Sequence, residues 1–148
     1  MSDDNVEIVR RILEAWERRQ SPADLLDDRV EWVNAPEAVE PGTRRGRRAF
    51  EAAAASVTES FQDIRLDIEE MIPVGDQVLV LGTMVVRGRD SGAELRQPLG
   101  QLWTVRDGRA VRFEWFADRD QALTAIGAAS GDADAAARPG GQAGAGSS

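Results

Sequence analysis

The chain has 148 residues and a net charge of −8, it contains no His, Cys or Tyr, and all 18 of its basic residues are Arg. This inventory excludes nucleophile–histidine pairs, a Schiff-base lysine, disulfides and zinc sites built from His or Cys, so any proton transfer falls to Asp or Glu. The negative charge argues against a nucleic-acid partner, the lack of a long apolar run argues against a membrane span, and the absence of Cys predicts a cytoplasmic protein. We expect no metal and no cofactor.

The first predicted element is an amphipathic helix. Apolar residues recur at helical spacing in SDDNVEIVRRILEAWERR, residues 2–19. A second helix start follows at SPADLL, where Ser21 is the predicted cap and Pro22 the first helical residue. DDRVEWVN then alternates, with Trp32 and Asn34 on one face, and this pattern predicts a short strand.

A loop and another helix come next. Ala35–Gly46 holds two prolines and two glycines, which is typical of a loop. The helix after it carries Phe50 and Val57 on its apolar face.

Four arginines lie between Arg44 and Arg48, at the start of that helix. Cations are unfavourable at this end of the helix dipole, so they are not there for helix stability. We interpret them as a solvated face paired with Glu37, Glu40 and Glu51. The alternative is a site for an anionic ligand near a pocket mouth.

The rest of the domain is predicted to form a meander of strands. The segments IRLDIEEMIPV, QVLVLGTMVVRGR, AELRQPLGQLWTV and AVRFEWFA are separated by turn residues. Asp107 and Gly108 between alternating segments are the strongest hairpin signal.

The chain is predicted to close with a short helix and a tail. Asp118 is the expected cap of this helix and Gly127 its terminator. Residues 128–148 are rich in Ala, Gly and Ser and are predicted to be disordered, so the domain is expected to span residues 1–127. Helices followed by a meander and a closing helix favour an α+β fold with one sheet face covered by helices and an apolar cavity between them.

The order of these motifs resembles a SnoaL-like domain. The similarity rests on LLDDRVEWVN, a loop ending in RRGRRAF, GDQVLVLG, and GQLWTVRDGRAVRFEWFADRDQAL, and it covers about residues 4–127. Such domains belong to the nuclear-transport-factor-2-like superfamily, together with ketosteroid isomerase and limonene epoxide hydrolase. The resemblance implies a cone-shaped, cystatin-like α+β barrel whose curved, mostly antiparallel sheet wraps around N-terminal helices. It also implies an interior pocket and a homodimer through the outer sheet face, but it fixes no activity.

Site residues can be carried over from this resemblance. Limonene epoxide hydrolase is similar at WVNAP, where Trp32 and Asn34 stand at positions that hold a water in that enzyme. Its remaining site positions fall on Gly82, Met84 and Trp115, which are departures from its Arg and Asp residues. The oxyanion tyrosine of ketosteroid isomerase is also missing.

The segment FEWFADRDQAL poses the main question of the sequence. The last-strand Asp of SnoaL-type cyclases falls on Trp115 or, with a one-residue bulge, on Glu114. Plain alternation puts Trp115 inside the cone and Glu114 outside, among Arg87, Arg96 and Arg112. A β-bulge would instead turn Glu114 inward, where its carboxylate is the predicted catalytic acid or base.

The predicted pocket lining combines amides with aromatic rings. The predicted substrate-binding residues are Trp32, Asn34, Met84, Gln97, Gln101, Trp103 and Trp115. Amides orient a ligand's carbonyl or hydroxyl group but exchange no protons, so this set alone favours binding over catalysis. The alternative is an ordinary core filled by tryptophans.

Two functional hypotheses follow. In the first, the chain is a cofactor-independent isomerase, cyclase or hydrolase that acts on an apolar, polyketide- or terpenoid-like substrate, with Glu114 as its acid or base. In the second, it is a non-catalytic dimeric protein of the same fold, with a ligand-binding or structural role.

Overall fold

The computed structural model describes residues 2–34, 42–59, 61, 63–88 and 90–134. These residues form three α-helices, one 3-10 turn and a single six-stranded sheet. The helices are α1 (Ser2–Glu17), α2 (Arg47–Glu59) and α3 (Arg119–Asp134), and the 3-10 turn is Ala23–Leu25. The strands are β1 (Leu26–Asn34), β2 (Gly42–Arg45), β3 (Asp63–Val74), β4 (Gln77–Arg87), β5 (Glu94–Arg106) and β6 (Arg109–Phe116).

The sheet is open and mixed, with the strand order β2-β1-β6-β5-β4-β3. Only β1 and β6 run parallel, and every other neighbouring pair is antiparallel. The register shifts between Ile68 and Glu70 on β3 and between Thr104 and Val105 on β5. Such irregularities increase the local twist and bend a strand, which curves the sheet around its helices. The predicted cone-like α+β fold is confirmed.

The concave inner face of the sheet packs against α1 and α2. Val9 and Ile12 of α1 and Phe50 of α2 are fully buried, in one cluster with Val30 of β1 and Trp103 of β5. The apolar stripe predicted for the first helix therefore faces the sheet, as helical spacing requires.

The outer face packs against α3. Leu79 of β4 and Leu102 of β5 form a second cluster with Ala122 and Ile126 of α3. A Cβ atom on Gly100 would lie 2.3 Å from the Cβ of Ala122, so only a glycine at this place on β5 lets α3 approach so closely.

The predicted hairpins are confirmed. Gly75 and Asp76 connect β3 to β4, and Asp107 and Gly108 connect β5 to β6. Asp107 and Gly108 have φ angles of 54° and 76°, and a two-residue turn with both residues in the left-handed region matches the twist of its strands.

Two predictions for the first third of the chain are wrong. SPADLL forms only the 3-10 turn, because Ser21 donates its hydroxyl hydrogen bond to Glu51 and caps no backbone N–H group. Gly42–Arg45, predicted as loop, is β2 and pairs with the end of β1. Residues 35–41 of that predicted loop lie outside the described residues.

The start of the last helix is confirmed and its end is wrong. Gln121 N–H donates to Asp118 Oδ1 over 2.8 Å, which is the predicted cap. The helix continues through Gly127 to Asp134. A glycine inside a helix costs only about 1 kcal/mol, so it does not end a helix that alanines continue. The remainder of the predicted tail, residues 135–148, lies outside the described residues.

Within the described ranges, no helix is both long and apolar enough to cross a membrane.

Candidate functional site

A cavity of about 720 Å³ lies between the inner face of the sheet and the helices α1 and α2. Its wall is mostly apolar. The lining side chains come from both helices and from every strand except β2. This volume is in the range of sites that enclose small organic molecules, of about 300–1,000 Å³.

The inner end of the cavity is aromatic. Trp16 of α1, Trp32 of β1 and Phe113 of β6 lie on its wall. The ring centroids of Trp32 and Phe113 are 4.5 Å apart, and those of Trp16 and Phe113 are 5.9 Å apart in an edge-on arrangement. Tilted and edge-on pairs at these distances are the favoured aromatic geometries, so the rings support one another without a ligand.

Asn34 fixes two of the wall's tryptophans. Its Oδ1 accepts hydrogen bonds from Trp32 Nε1 and Trp115 Nε1, each over 2.7 Å. Because β1 and β6 are parallel neighbours, the end of β1 brings Asn34 beside Trp115. An indole N–H can only donate, so the shared acceptor must be the amide oxygen. Asn34 thus lies behind the two rings and holds their orientation.

A second indole–amide pair lies on β5. Gln101 is 6% exposed and belongs to the cavity wall. Its Oε1 accepts a hydrogen bond from Trp103 Nε1 over 3.0 Å. The buried polar groups of this region are therefore neutral amides and indoles rather than charges.

Charged residues of the wall lie where the cavity opens. Glu14 and Glu17 come from α1 and are exposed. Arg65 and Asp67 come from the edge strand β3, where Arg65 Nε donates to Asp67 Oδ1 over 2.8 Å. This hydrogen bond lowers the pKa of the Asp67 carboxyl and raises the pKa of the Arg65 guanidinium. Both charges are therefore held at neutral pH, and they stay in contact with water.

The structure places most of the predicted lining on the cavity wall. The predicted residues found there are Trp32, Met84, Gln97, Gln101 and Trp115. Their alternation along the strands is kept, since Met84 pairs with Gln97 and Gln101 pairs with Trp115 across the sheet.

Asn34 is not on the cavity wall and is one correction to the predicted lining. Trp103 is another. It lies on the expected face of β5, but it is 0% exposed and belongs to the core. Its ring centroid is 5.5 Å from that of Trp16 and 4.6 Å from that of Phe113. These two rings cover Trp103, so it supports the wall from behind.

Glu114, the predicted catalytic residue, is a further correction, since it does not turn into the cavity. The pairing of β6 with β5 is regular from Arg112 to Phe116, so the bulge that would reverse Glu114 is not there. Trp115 takes the inner position, and Glu114 lies on the opposite face with its Oε1 3.8 Å from Arg112 Nη2. The acid or base predicted at this position therefore has no access to the cavity.

The sequence interpretation missed the contribution of α1 and β3 to the wall. Leu13 and Trp16 of α1 and Ile64, Leu66 and Ile68 of β3 all line the cavity. The apolar stripe of α1 was the available signal. A stripe predicts burial, however, and does not distinguish a filled contact from a contact that leaves a cavity.

The arginines at the start of α2 form ion pairs with β1. Arg45 Nε lies 2.9 Å from Glu31 Oε2, and Arg47 pairs with Asp28. The four arginines are not on the cavity wall, which leaves the anion-site alternative without support. Of the predicted glutamate partners, those in residues 35–41 lie outside the described part of the chain.

Among the residues that the structure describes, no group of three or more His, Cys, Asp or Glu side chains could hold a metal ion.

Several solved structures are similar to this chain. An NTF2-like protein of unknown function from Burkholderia pseudomallei is 28% identical, with a TM-score of 0.69, 83% of this chain covered and 95% of that one. TerC, co-crystallised with polyporic acid, is 26% identical, with a TM-score of 0.68 and coverages of 84% and 96%. A protein from Jannaschia sp. CCS1 that is assigned as a SnoaL-like polyketide cyclase is 21% identical, with a TM-score of 0.70 and coverages of 86% and 94%.

The last similarity shows the fold alone, since its identity is low. No curated protein matches the sequence. The family model of the SnoaL-like domain matches residues 9–113, which is more than half of the chain. The chain is therefore a member of the SnoaL-like domain family.

Proposed function

We propose that this protein binds an apolar, ring-containing small molecule in the cavity between its sheet and helices α1 and α2. The observation that carries the proposal is the composition of the wall: aromatic rings and one neutral amide at the inner end, with the carboxylates where the cavity opens. Apolar walls with a few fixed polar groups are the usual form of a small-molecule site.

A relative supports the class of ligand. TerC is 26% identical to this chain over most of both chains, and it was co-crystallised with polyporic acid. A protein of similar fold and related sequence was thus crystallised together with an organic molecule.

The expected affinity is moderate. Drug-sized ligands gain about 0.3 kcal/mol per non-hydrogen atom, so about 20 atoms give about 6 kcal/mol. This free energy corresponds to a dissociation constant of about 40 μM. Binding should therefore be measurable by fluorescence at micromolar protein concentrations.

The test is a titration of the full chain with N-phenyl-1-naphthylamine, a neutral dye that fluoresces in apolar surroundings. Met84 lies on the wall between Leu66 and Gln97, so Met84→Trp fills the cavity with a larger ring. We expect saturable binding by the wild type and at least tenfold weaker binding by Met84→Trp. The matched control is Arg87→Trp, which adds the same ring on the same strand at an exposed position.

Loss of binding in Met84→Trp alone supports the cavity as the site, provided that circular dichroism shows both variants folded. Equal binding by the wild type, Met84→Trp and Arg87→Trp would place the dye elsewhere and contradict the proposal, as would absence of saturable binding.

An isomerase, cyclase or hydrolase that acts on a polyketide- or terpenoid-like substrate stays a prediction. Its acid or base would have to come from the mouth of the cavity, where α1 carries Glu14 and Glu17, because Glu114 faces away. Recovery of a bound ligand unchanged after long incubation favours binding alone, whereas conversion that Glu14→Gln or Glu17→Gln abolishes favours an enzyme.

The homodimer also stays a prediction. α3 occupies part of the outer sheet face, so a second copy would meet the remaining part, where exposed ion pairs such as Arg96 with Asp67 lie. A measurement of the molecular mass of the full chain in solution distinguishes a monomer from a homodimer.

A further inference from the structure

We propose that Gln101 selects the ligand: its amide N–H₂ group donates a hydrogen bond to an acceptor oxygen of the bound molecule, and carbonyl compounds are preferred over hydrocarbons of the same shape. The inference rests on the proposed binding function and goes beyond it, because it names the ligand group that this cavity recognises.

The orientation of the Gln101 amide is fixed by its neighbour on the strand. Gln101 Oε1 lies 3.0 Å from Trp103 Nε1. An indole N–H has no acceptor capacity, so the atom that faces it must be the oxygen and not the nitrogen. Trp103 is 0% exposed and packed among rings, which holds this arrangement in place. Gln101 Nε2 is consequently turned away from Trp103.

The nitrogen of this amide faces the cavity. Gln101 is 94% buried, since only 6% of its surface is exposed, and it lies on the cavity wall. In the described part of the chain, Arg47 Nε is the one buried side-chain nitrogen or oxygen without a hydrogen-bond partner. Within that same part, Gln101 Nε2 donates to no protein atom, so it is not enclosed by protein and must open onto the cavity.

The surroundings of Gln101 add no competing polar group. Across the sheet it is flanked by Val80 on β4 and Trp115 on β6. The indole N–H of Trp115 is already donated to Asn34 Oδ1. Gln97, the other amide of the wall, is exposed and lies farther along β5. A ligand that reaches the inner end therefore meets a hydrogen-bond donor in an otherwise apolar site.

A donor in this position distinguishes ligands by their oxygen chemistry. A carbonyl oxygen accepts from Gln101 and brings no donor of its own. A hydroxyl oxygen also accepts, but its O–H group then needs an acceptor. A hydrocarbon leaves the Gln101 N–H₂ group without a partner and displaces any water from it. The expected order of affinity is carbonyl, then hydroxyl, then hydrocarbon.

The test uses three ligands with one carbon skeleton: 9-fluorenone, 9-fluorenol and fluorene, each displacing N-phenyl-1-naphthylamine from the full chain. We expect wild-type protein to bind 9-fluorenone about tenfold more tightly than fluorene, a difference of about 1.4 kcal/mol. In Gln101→Leu, no donor remains to bond the ligand oxygen, and no titratable group is added to this buried position. The preference for 9-fluorenone should then disappear.

The matched control is Gln77→Leu, the same change on β4. Gln77 is half-buried, donates to Thr104 Oγ1 and is not on the cavity wall, so this variant should keep the tenfold preference. Gln101→Met also removes the donor, with a side chain of similar length, and replaces Gln101→Leu if that variant fails to fold. If neither variant folds, the three wild-type affinities decide.

Equal displacement by all three ligands in wild-type protein overturns the role of Gln101 and leaves the binding function standing. A preference that persists in a folded Gln101 variant overturns it as well. If the dye itself does not bind saturably, the proposed binding function is contradicted, and the role of Gln101, which rests on it, is contradicted as well.

Discussion

The two faces of the sheet are built from the same strands and differ in what covers them. On the outer face, α3 lies close to β5 because Gly100 has no Cβ atom, and the leucines of β4 and β5 fill the contact. On the inner face, large rings separate the helices from the sheet, and a cavity of about 720 Å³ remains. The size of the side chains under a helix thus decides whether an interface becomes a core or a binding site.

The faces also differ in their polar chemistry. The outer face and its edge carry exposed ion pairs, such as Arg96 with Asp67 at 3.7 Å, which contribute at most about 1 kcal/mol each. The inner face holds hydrogen bonds between indoles and amides. A buried donor or acceptor of this kind that is left without a partner destabilises the fold by about 1–3 kcal/mol. Charge is thereby kept out of the inner end of the cavity.

Substitutions at the filled end of the inner face should have the largest effect on the free energy of unfolding. Trp103 is fully buried and contacts the rings of Trp16, Phe50 and Phe113. Trp103→Ala removes these contacts and is expected to lower the free energy of unfolding by about 3–5 kcal/mol in chemical denaturation. Leu95→Ala on the same strand, where the side chain is 58% exposed, is the control and should change it by less than about 0.5 kcal/mol.

A cost of Trp103→Ala below about 1 kcal/mol would show that this end of the cone is not packed as described.

Substitutions on the outer face should have the next largest effect on the free energy of unfolding. Here the damaging change is added volume rather than removed volume. Gly100→Ala places a Cβ atom 2.3 Å from that of Ala122, so α3 must move away. We expect a loss of about 1–3 kcal/mol in the free energy of unfolding, measured in the same way.

The matched control is Gly127→Ala in α3, where a Cβ atom would meet nothing within 4 Å. This change should stabilise the protein by up to about 1 kcal/mol, because alanine favours the helix. If both glycine variants change stability in the same direction, the close contact between α3 and β5 is not the cause.

Strand alternation made much of the site predictable. Period two placed Gln97, Gln101 and Trp115 on the inner face, where the structure has them on the cavity wall. It also placed Trp103 on that face, but it did not indicate whether the side chain lines the cavity or is buried beneath other side chains. Whether a residue lines a cavity or lies beneath other rings depends on the helix above it, and here Trp16 of α1 covers Trp103.

The remaining differences arise from contacts that local patterns do not contain. Gly42–Arg45 lacks a strand pattern and becomes β2 only because the end of β1 offers free backbone partners. Arg45 and Arg47 pair with carboxylates of β1, which lie distant in sequence. The orientation of Glu114 depended on whether β6 contains a bulge at that residue, and a bulge leaves no dependable signal in a single sequence.

Whether the inner face of the sheet binds the ligand is tested by comparing dye affinity in Glu114→Gln and Trp115→Ala. These neighbours lie on opposite faces of β6. We expect Glu114→Gln to bind N-phenyl-1-naphthylamine within about twofold of wild type. Trp115→Ala, which loses part of the cavity wall, should bind the dye about tenfold more weakly, a difference of about 1.4 kcal/mol. A large loss of affinity in Glu114→Gln together with normal binding in Trp115→Ala would contradict a ligand site on the inner face and place it on the face that carries Glu114.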